Sequence, residues 1–150
     1  MSTFRFRLSP VLQVREAARD ERRGALGEAY RADELLRRRL EAVESELERL
    51  RGLAREAARP GPVDVDRLVE TQRYALRLRS LQAQILRQRE ELAAEIQRRR
   101  QALLVADREV RVLEKLRQRQ AERHRREEDR REVKRLDELA QQKVMREVAL

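Results

Sequence analysis

Apolar residues recur along this chain on a strict period. Leu36, Leu40, Val43, Leu47, Leu50, Ala54 and Ala57 follow one another in alternating steps of four and three. A repeat of seven predicts a helix that supercoils left-handedly against a partner helix. Traced backwards, the register meets Ala29, Leu26, Leu12 and Leu8, but also Asp33, Arg22, Arg19 and Arg15, so the seam weakens toward the N-terminus. A second seam begins as Tyr74, Leu78, Leu81, Ile85, Gln88, Leu92 and continues as Ile96, Arg99, Leu103, Ala106, Val110, Leu113. Two steps of four meet at Leu92, a stutter that predicts local unwinding of the supercoil.

The two seams are separated by Arg59-Pro60-Gly61-Pro62-Val63-Asp64-Val65-Asp66, the one stretch that forces a long helix to stop. Both prolines lack the amide hydrogen an i→i−4 bond needs, and each disfavours helix in the residue before it. Asp64 or Asp66 can then cap a new helix. At the other end Ser9 is the candidate cap and Pro10 the first helical residue, where a missing donor costs nothing. The pattern predicts an N-terminal arm over 1–9, a first helix over 10–59, a turn over 60–66 and a second helix over 67–148, all in a single coiled-coil unit. The first helix would be softest near Gly24 and Gly27, since each glycine costs about 1 kcal/mol relative to alanine. If Arg59 faces Asp66, Leu50 lies near Ala75, Leu36 near Arg89 and Leu12 near Leu113. The first helix then runs out opposite roughly Arg117, where the second seam fades. The expected fold is all-α: an elongated antiparallel two-helix coiled-coil hairpin whose second helix is longer and overhangs.

Composition agrees with this pattern. Of 150 residues, 43% are charged and only 3% aromatic, which favours a coiled coil over a globular domain. The formal net charge of +9 favours a negatively charged partner, whether an acidic protein surface, an anionic membrane or nucleic acid. The absence of cysteine excludes disulfide and thiolate chemistry. No apolar run approaches the roughly 20 residues that span a bilayer. The basic N-terminus lacks the apolar core of a secretory signal. Arg117–Glu132 holds seven arginines, five acids and His124, with Ala121 as its one apolar residue, and is expected to be a solvated helix held by ion pairs. Apolar residues return at Val133, Leu136, Leu139, Ala140, Val144 and Val148, a stripe suited to a partner helix or groove. Phe4, Phe6 and Leu8 alternate with Arg5, Arg7 and Ser9. Such an arm either covers the end of the hairpin or anchors in a partner's pocket.

Candidate chemistry changes the picture little. The sequence holds no phosphate-binding glycine loop, no metal-ligand cluster and no nucleophile with a base, and its one histidine, His124, sits in a charged run expected to face solvent. We expect no enzyme activity, cofactor, metal or small-molecule substrate. Nucleic acid is disfavoured as well. A basic-zipper protein carries a nearly pure basic region before its heptads, whereas here the arginine-rich stretch follows the seam and is diluted by acids. Single-strand binders interleave aromatic residues with their arginines, and this stretch has none. Two functional classes remain: an adaptor that binds proteins, and a generic coiled-coil scaffold or basic nucleic-acid-binding helical protein.

Four stretches resemble the flagellar export protein FliJ family. They are the opening Phe4-Arg5-Phe6-Arg7-Leu8-Ser9-Pro10-Val11-Leu12-Gln13-Val14-Arg15-Glu16, then Leu26-Gly27-Glu28, Val112-Leu113-Glu114-Lys115-Leu116-Arg117 and Leu136-Asp137-Glu138-Leu139-Ala140. They follow the family's order and spacing across the whole chain. The resemblance implies a long antiparallel two-helix coiled coil similar to the central stalk of rotary ATPases. It implies a non-enzymatic, monomeric component of the bacterial flagellar type III protein export apparatus, serving flagellum biogenesis and hence motility and chemotaxis. Implied partners are the hexameric export ATPase FliI, the export-gate protein FlhA and export chaperones. The implied location is cytoplasmic, peripheral to the inner face of the membrane at the flagellar base. Carried onto this sequence, the ATPase-binding candidates are Leu8, Leu12, Arg15, Leu113, Leu116 and Arg117. The gate-binding candidates are Val43, Leu50, Tyr74, Leu78, Leu81 and Ile85, most of which also fit the intramolecular seam. Tyr74 is the one expected to be exposed, because a buried phenol needs a partner.

Overall fold

A computed structural model describes residues 3–149; Met1 and Ser2 of the expected arm, and Leu150, lie outside the described residues. The fold is all-α and is built from helix α1, Ser9–Ala57, and helix α2, Val65–Val148. Contacts divide it into two compact units, Glu21–Leu103 and Met1–Asp20 with Leu104–Leu150.

The unit Glu21–Leu103 is an antiparallel hairpin. Residue 57 ends α1, ahead of the Pro60-Gly61-Pro62 break, and backbone bonds from Ala58 to Ala54 and from Arg59 to Glu56 tighten its last turn. Gly61 has a φ of 155°, a backbone region that a side chain disfavours. Asp64 caps α2: its carboxylate accepts the Arg67 amide at 3.2 Å and its carbonyl accepts the Leu68 amide. Asp66, the other candidate cap, lies inside the first turn, where its charge suits the positive helix end.

Between the helices lies a thin core of Leu40, Val43, Leu47, Leu50, Leu78 and Ile85, with Leu36, Leu53 and Ala75 packed against it. Ile85 is the most enclosed of the six, 3% exposed. The register is fixed by polar contacts between the helices. Arg89 donates to Asp33 at 3.0 and 3.3 Å, and Gln82 donates to Glu44 at 3.4 Å. Arg99 donates to the Ala25 carbonyl at 2.5 Å, bracing α1 beside Gly24 and Gly27. Asp33 and Arg99, which interrupt the apolar repeat, thus bind the opposite helix.

The second seam differs from expectation. The covered positions of α2 are Leu68, Thr71, Ala75, Leu78, Gln82, Ile85, Arg89 and Leu92, followed by Glu95, Ile96, Arg99, Ala102 and Leu103. Tyr74, Leu81 and Gln88 are exposed, and Ala75, Gln82 and Arg89 take their places. From Leu68 to Leu92 the steps alternate between three and four, so the two steps of four expected to meet at Leu92 do not. The physical reason is pairing: Gln82 and Arg89 each meet an acid on α1, and small Ala75 lets the helices approach. Ala54 and Ala57 are also exposed, because the core beyond Leu50 turns toward Leu53.

In the second unit the arm folds back. Phe6, Leu12 and Val110 form its core, with Phe4, Leu113 and Leu116 packed against them, and Val110 is fully enclosed at 0%. Arg15 pairs with Glu109 at 2.8 Å, which keeps α1 and α2 antiparallel here too. The arm therefore covers the paired region, and Phe4 reaches His124, the ring centroids 5.8 Å apart. His124 is half-buried by that contact, not solvent-facing as expected. The first α1 carbonyl to accept a helical bond is that of Leu8, from the Leu12 amide at 2.9 Å. Leu8 therefore holds the cap position, and Ser9 stands one residue inside it. Beyond residue 128 every described residue of α2 is exposed, the Val133–Val148 stripe included.

Substitutions at two glycines test these assignments. Gly61→Val places a side chain where the backbone disfavours one, and is expected to cost about 1–3 kcal/mol. Gly24 is helical with open space around it, so Gly24→Ala is expected to gain up to about 1 kcal/mol. Urea denaturation reads both as midpoint shifts at constant slope.

Candidate partner-binding surfaces

The six positions carried over for gate binding divide by burial. Val43, Leu50, Leu78 and Ile85 belong to the hairpin core. Tyr74 and Leu81 stand outside it, 41% and 42% exposed, seven residues apart on one edge of α2. Tyr74 shares Glu46 with Arg49, whose guanidinium grips that carboxylate at 2.6 and 3.0 Å. The Arg49 hydrogen bond, more than the one from Tyr74, holds the Glu46 carboxyl below its ordinary range. This edge therefore presents an apolar ring and an aliphatic side chain beside a fixed ion pair. Tyr74 was legible as a surface residue, since its phenol needs a polar neighbour. Leu81 was not, because leucine on a heptad reads as core.

The positions carried over for ATPase binding fall in the second unit. Leu12 is in its core, and Leu113 and Leu116 are half-buried against the core that carries Phe4 and Phe6. Leu8 and Arg117 are exposed, and Arg15 is engaged by Glu109. The unit thus offers Leu8 and Arg117 freely, together with one flank of Leu116. The sequence left open whether the arm covers the end of the hairpin or anchors in a partner; here its two phenylalanines pack with these leucines.

Much of the remaining surface is an ion-pair lattice. Glu34 accepts from Arg37 and Arg38, and Arg37 also reaches Glu41 at 2.6 Å. Hydrogen bonds from Arg37 and then Arg38 hold the Glu34 carboxyl down at about 2, while Glu34 raises the Arg37 guanidinium. Glu95 is lowered likewise, by Arg98 first and then Arg99, and Asp33 raises Arg89. Among the described residues no polar or charged side chain is buried, and no group of three acids, histidines or cysteines could hold a metal ion. At the turn, Leu53, Pro60, Pro62 and Leu68 line an open groove. No described helix is long and apolar enough to cross a membrane.

Two long helices paired along a thin apolar seam define the class: an all-α coiled-coil protein. The family model for the flagellar FliJ protein matches residues 4–149, and the chain belongs to that family. Membership makes it a component of the flagellar protein export apparatus, in a family of non-catalytic components. Comparison with curated proteins and with solved structures returns no match.

The lowered carboxyls of Glu34, Glu46 and Glu95 predict a pH dependence. Their folded-state values lie below the ordinary 4.5, so the stability they contribute is complete above that pH. It is lost as pH falls toward about 2, where Glu34 protonates. The urea midpoint is therefore expected to stay level from neutrality to about pH 5 and to decline below it. A midpoint that rises on acidification would contradict the assignment.

Proposed function

We propose that the protein is a stalk-like adaptor that binds the export ATPase ring and couples it to the export gate, and that it escorts chaperones. Its seat in the ring is the unit carrying the termini, through Leu8, Arg117 and the exposed flank of Leu116. Leu12, Arg15 and Leu113 hold that surface in shape. Its contact with the gate protein is the Tyr74–Leu81 edge, which Val43, Leu50, Leu78 and Ile85 support from beneath. On this reading it works as a monomer and a single coiled-coil unit, in the cytoplasm at the inner face of the membrane. It transmits a mechanical or positional signal and performs no reaction.

The observation that carries the proposal is the exposure of Tyr74 and Leu81 in a member of this family. Two large apolar side chains at heptad spacing are left outside a seam that takes up alanine and glutamine instead. Apolar residues exposed in this way are suited to a partner.

The experiment uses the full chain with the cognate FliI and the cytoplasmic part of FlhA. Unmodified protein is expected to raise ATPase turnover, and Leu8→Asp with Arg117→Glu to abolish the increase while helicity is kept. Tyr74→Ala with Leu81→Asp is expected to weaken gate binding about tenfold or more and to leave the ATPase effect intact. Failure of the unmodified protein to affect the ATPase or to bind the gate would overturn the proposal.

A further inference from the structure

We propose that the outward face of α2 between Val69 and Arg87 docks an acidic amphipathic helix of a partner protein, laid along the hairpin as a third helix. This face is distinct from the Tyr74–Leu81 edge and goes beyond the contacts proposed above. It consists of Val69, Gln72, Arg73, Leu76, Arg79, Ser80, Ala83, Leu86 and Arg87. Helical geometry places them on one side of α2, turned away from Leu78 and Ile85 and bordering the seam on the flank of Leu68 and Ala75. All nine are exposed, and the large apolar ones strongly so: Val69 by 41%, Leu76 by 62% and Leu86 by 49%.

Two observations identify the occupant. The first is charge. From Thr71 to Arg89 the chain carries five arginines and no acid. Arg89 is matched by Asp33, but Arg73, Arg79 and Arg87 take part in none of the ion pairs of the described residues. On α1, by contrast, five arginines, Arg37, Arg38, Arg49, Arg51 and Arg55, are bound by glutamates of the same helix. The outward face of α2 thus carries three guanidinium groups that remain available, in a stretch with no acid of its own to bind them. A planar guanidinium favours carboxylates, which it can grip by two hydrogen bonds.

The second observation is spacing. Val69, Leu76 and Ala83 recur every seven residues, the same period as the internal seam. A third helix with an apolar stripe on that period would keep register along the supercoil. Ala83 is small enough for its backbone to come close. A lipid surface fits less well: the face holds no aromatic residue, and its apolar stripe is narrow compared with that of helices lying in a membrane interface. The partner that fits is a helix with leucine or valine on heptad positions and glutamate or aspartate on either side.

The test is fluorescence anisotropy with the full chain and two labelled synthetic helices of four heptads. Both have leucine at the seam; one has glutamate on its flanks and the other lysine. Vesicles of phosphatidylglycerol serve as the lipid probe. The glutamate helix is expected to bind at low salt and to weaken as salt rises. Arg79→Glu with Arg87→Glu, both exposed and unpaired, should lower that affinity about tenfold and shift the preference to the lysine helix. Leu76→Asp should weaken both. The inference is overturned if the glutamate helix does not bind the unmodified chain. Equal binding to the charge-reversed chain also overturns it, as does a response to vesicles alone through these residues.

Discussion

Asp33 and Arg89 meet across an otherwise apolar seam, and the register of the hairpin depends on that meeting. A chain with 43% charged residues has few apolar side chains to bury, and its core is one or two residues wide. Burial alone tolerates a slip of one heptad, because leucine replaces leucine. The ion pair does not: a slipped register separates Asp33 from Arg89 and sets Arg89 against a leucine of α1, losing a two-hydrogen-bond contact whose partners are each about a third exposed. Gln82 with Glu44 and Arg99 with the Ala25 carbonyl impose the same alignment elsewhere in the unit. Polar groups at seam positions therefore specify how the helices align, while the leucines drive them together.

This division explains what could be read from the sequence. The turn was legible, since proline and glycine act through the backbone alone, and so was the first seam, whose positions are uniformly aliphatic. The register was nearly legible: Leu50 and Ala75 fall in one cluster, and Leu12 and Leu113 in another. The second seam was misread by one residue on every other turn. Tyr74 and Leu81 are larger and more apolar than Ala75 and Gln82, and a pattern search prefers them. What overrides hydrophobicity there is the partner helix, which presents Glu44 and Asp33. The signal was present in Asp33, which interrupts the first seam, and in Arg89, which would lie within about a turn of it in the expected register.

Misreading the seam also concealed the edge proposed to meet the gate. If Leu81 is core, the edge it forms with Tyr74 is not seen. With both outside, the edge they form is available to a partner, and the opposite side of α2 is a separate face with its own unpaired arginines. The candidate residues of the terminal unit follow the same logic. Phe4 and Phe6 fold onto Leu113 and Leu116, so the freely offered groups are Leu8 and Arg117. In both units the surface available for binding is set by which residues the pairing leaves over.

The absence of native cysteine makes a direct test of this pairing simple. Two double variants, Glu44→Cys with Gln82→Cys and Glu44→Cys with Leu81→Cys, would be treated in dilute solution with a short thiol-to-thiol cross-linker. The account predicts rapid cross-linking within one chain for the first pair and little for the second, since Gln82 faces Glu44 and Leu81 lies on the other edge. Equal cross-linking of both pairs, or cross-links formed chiefly between chains, would contradict it.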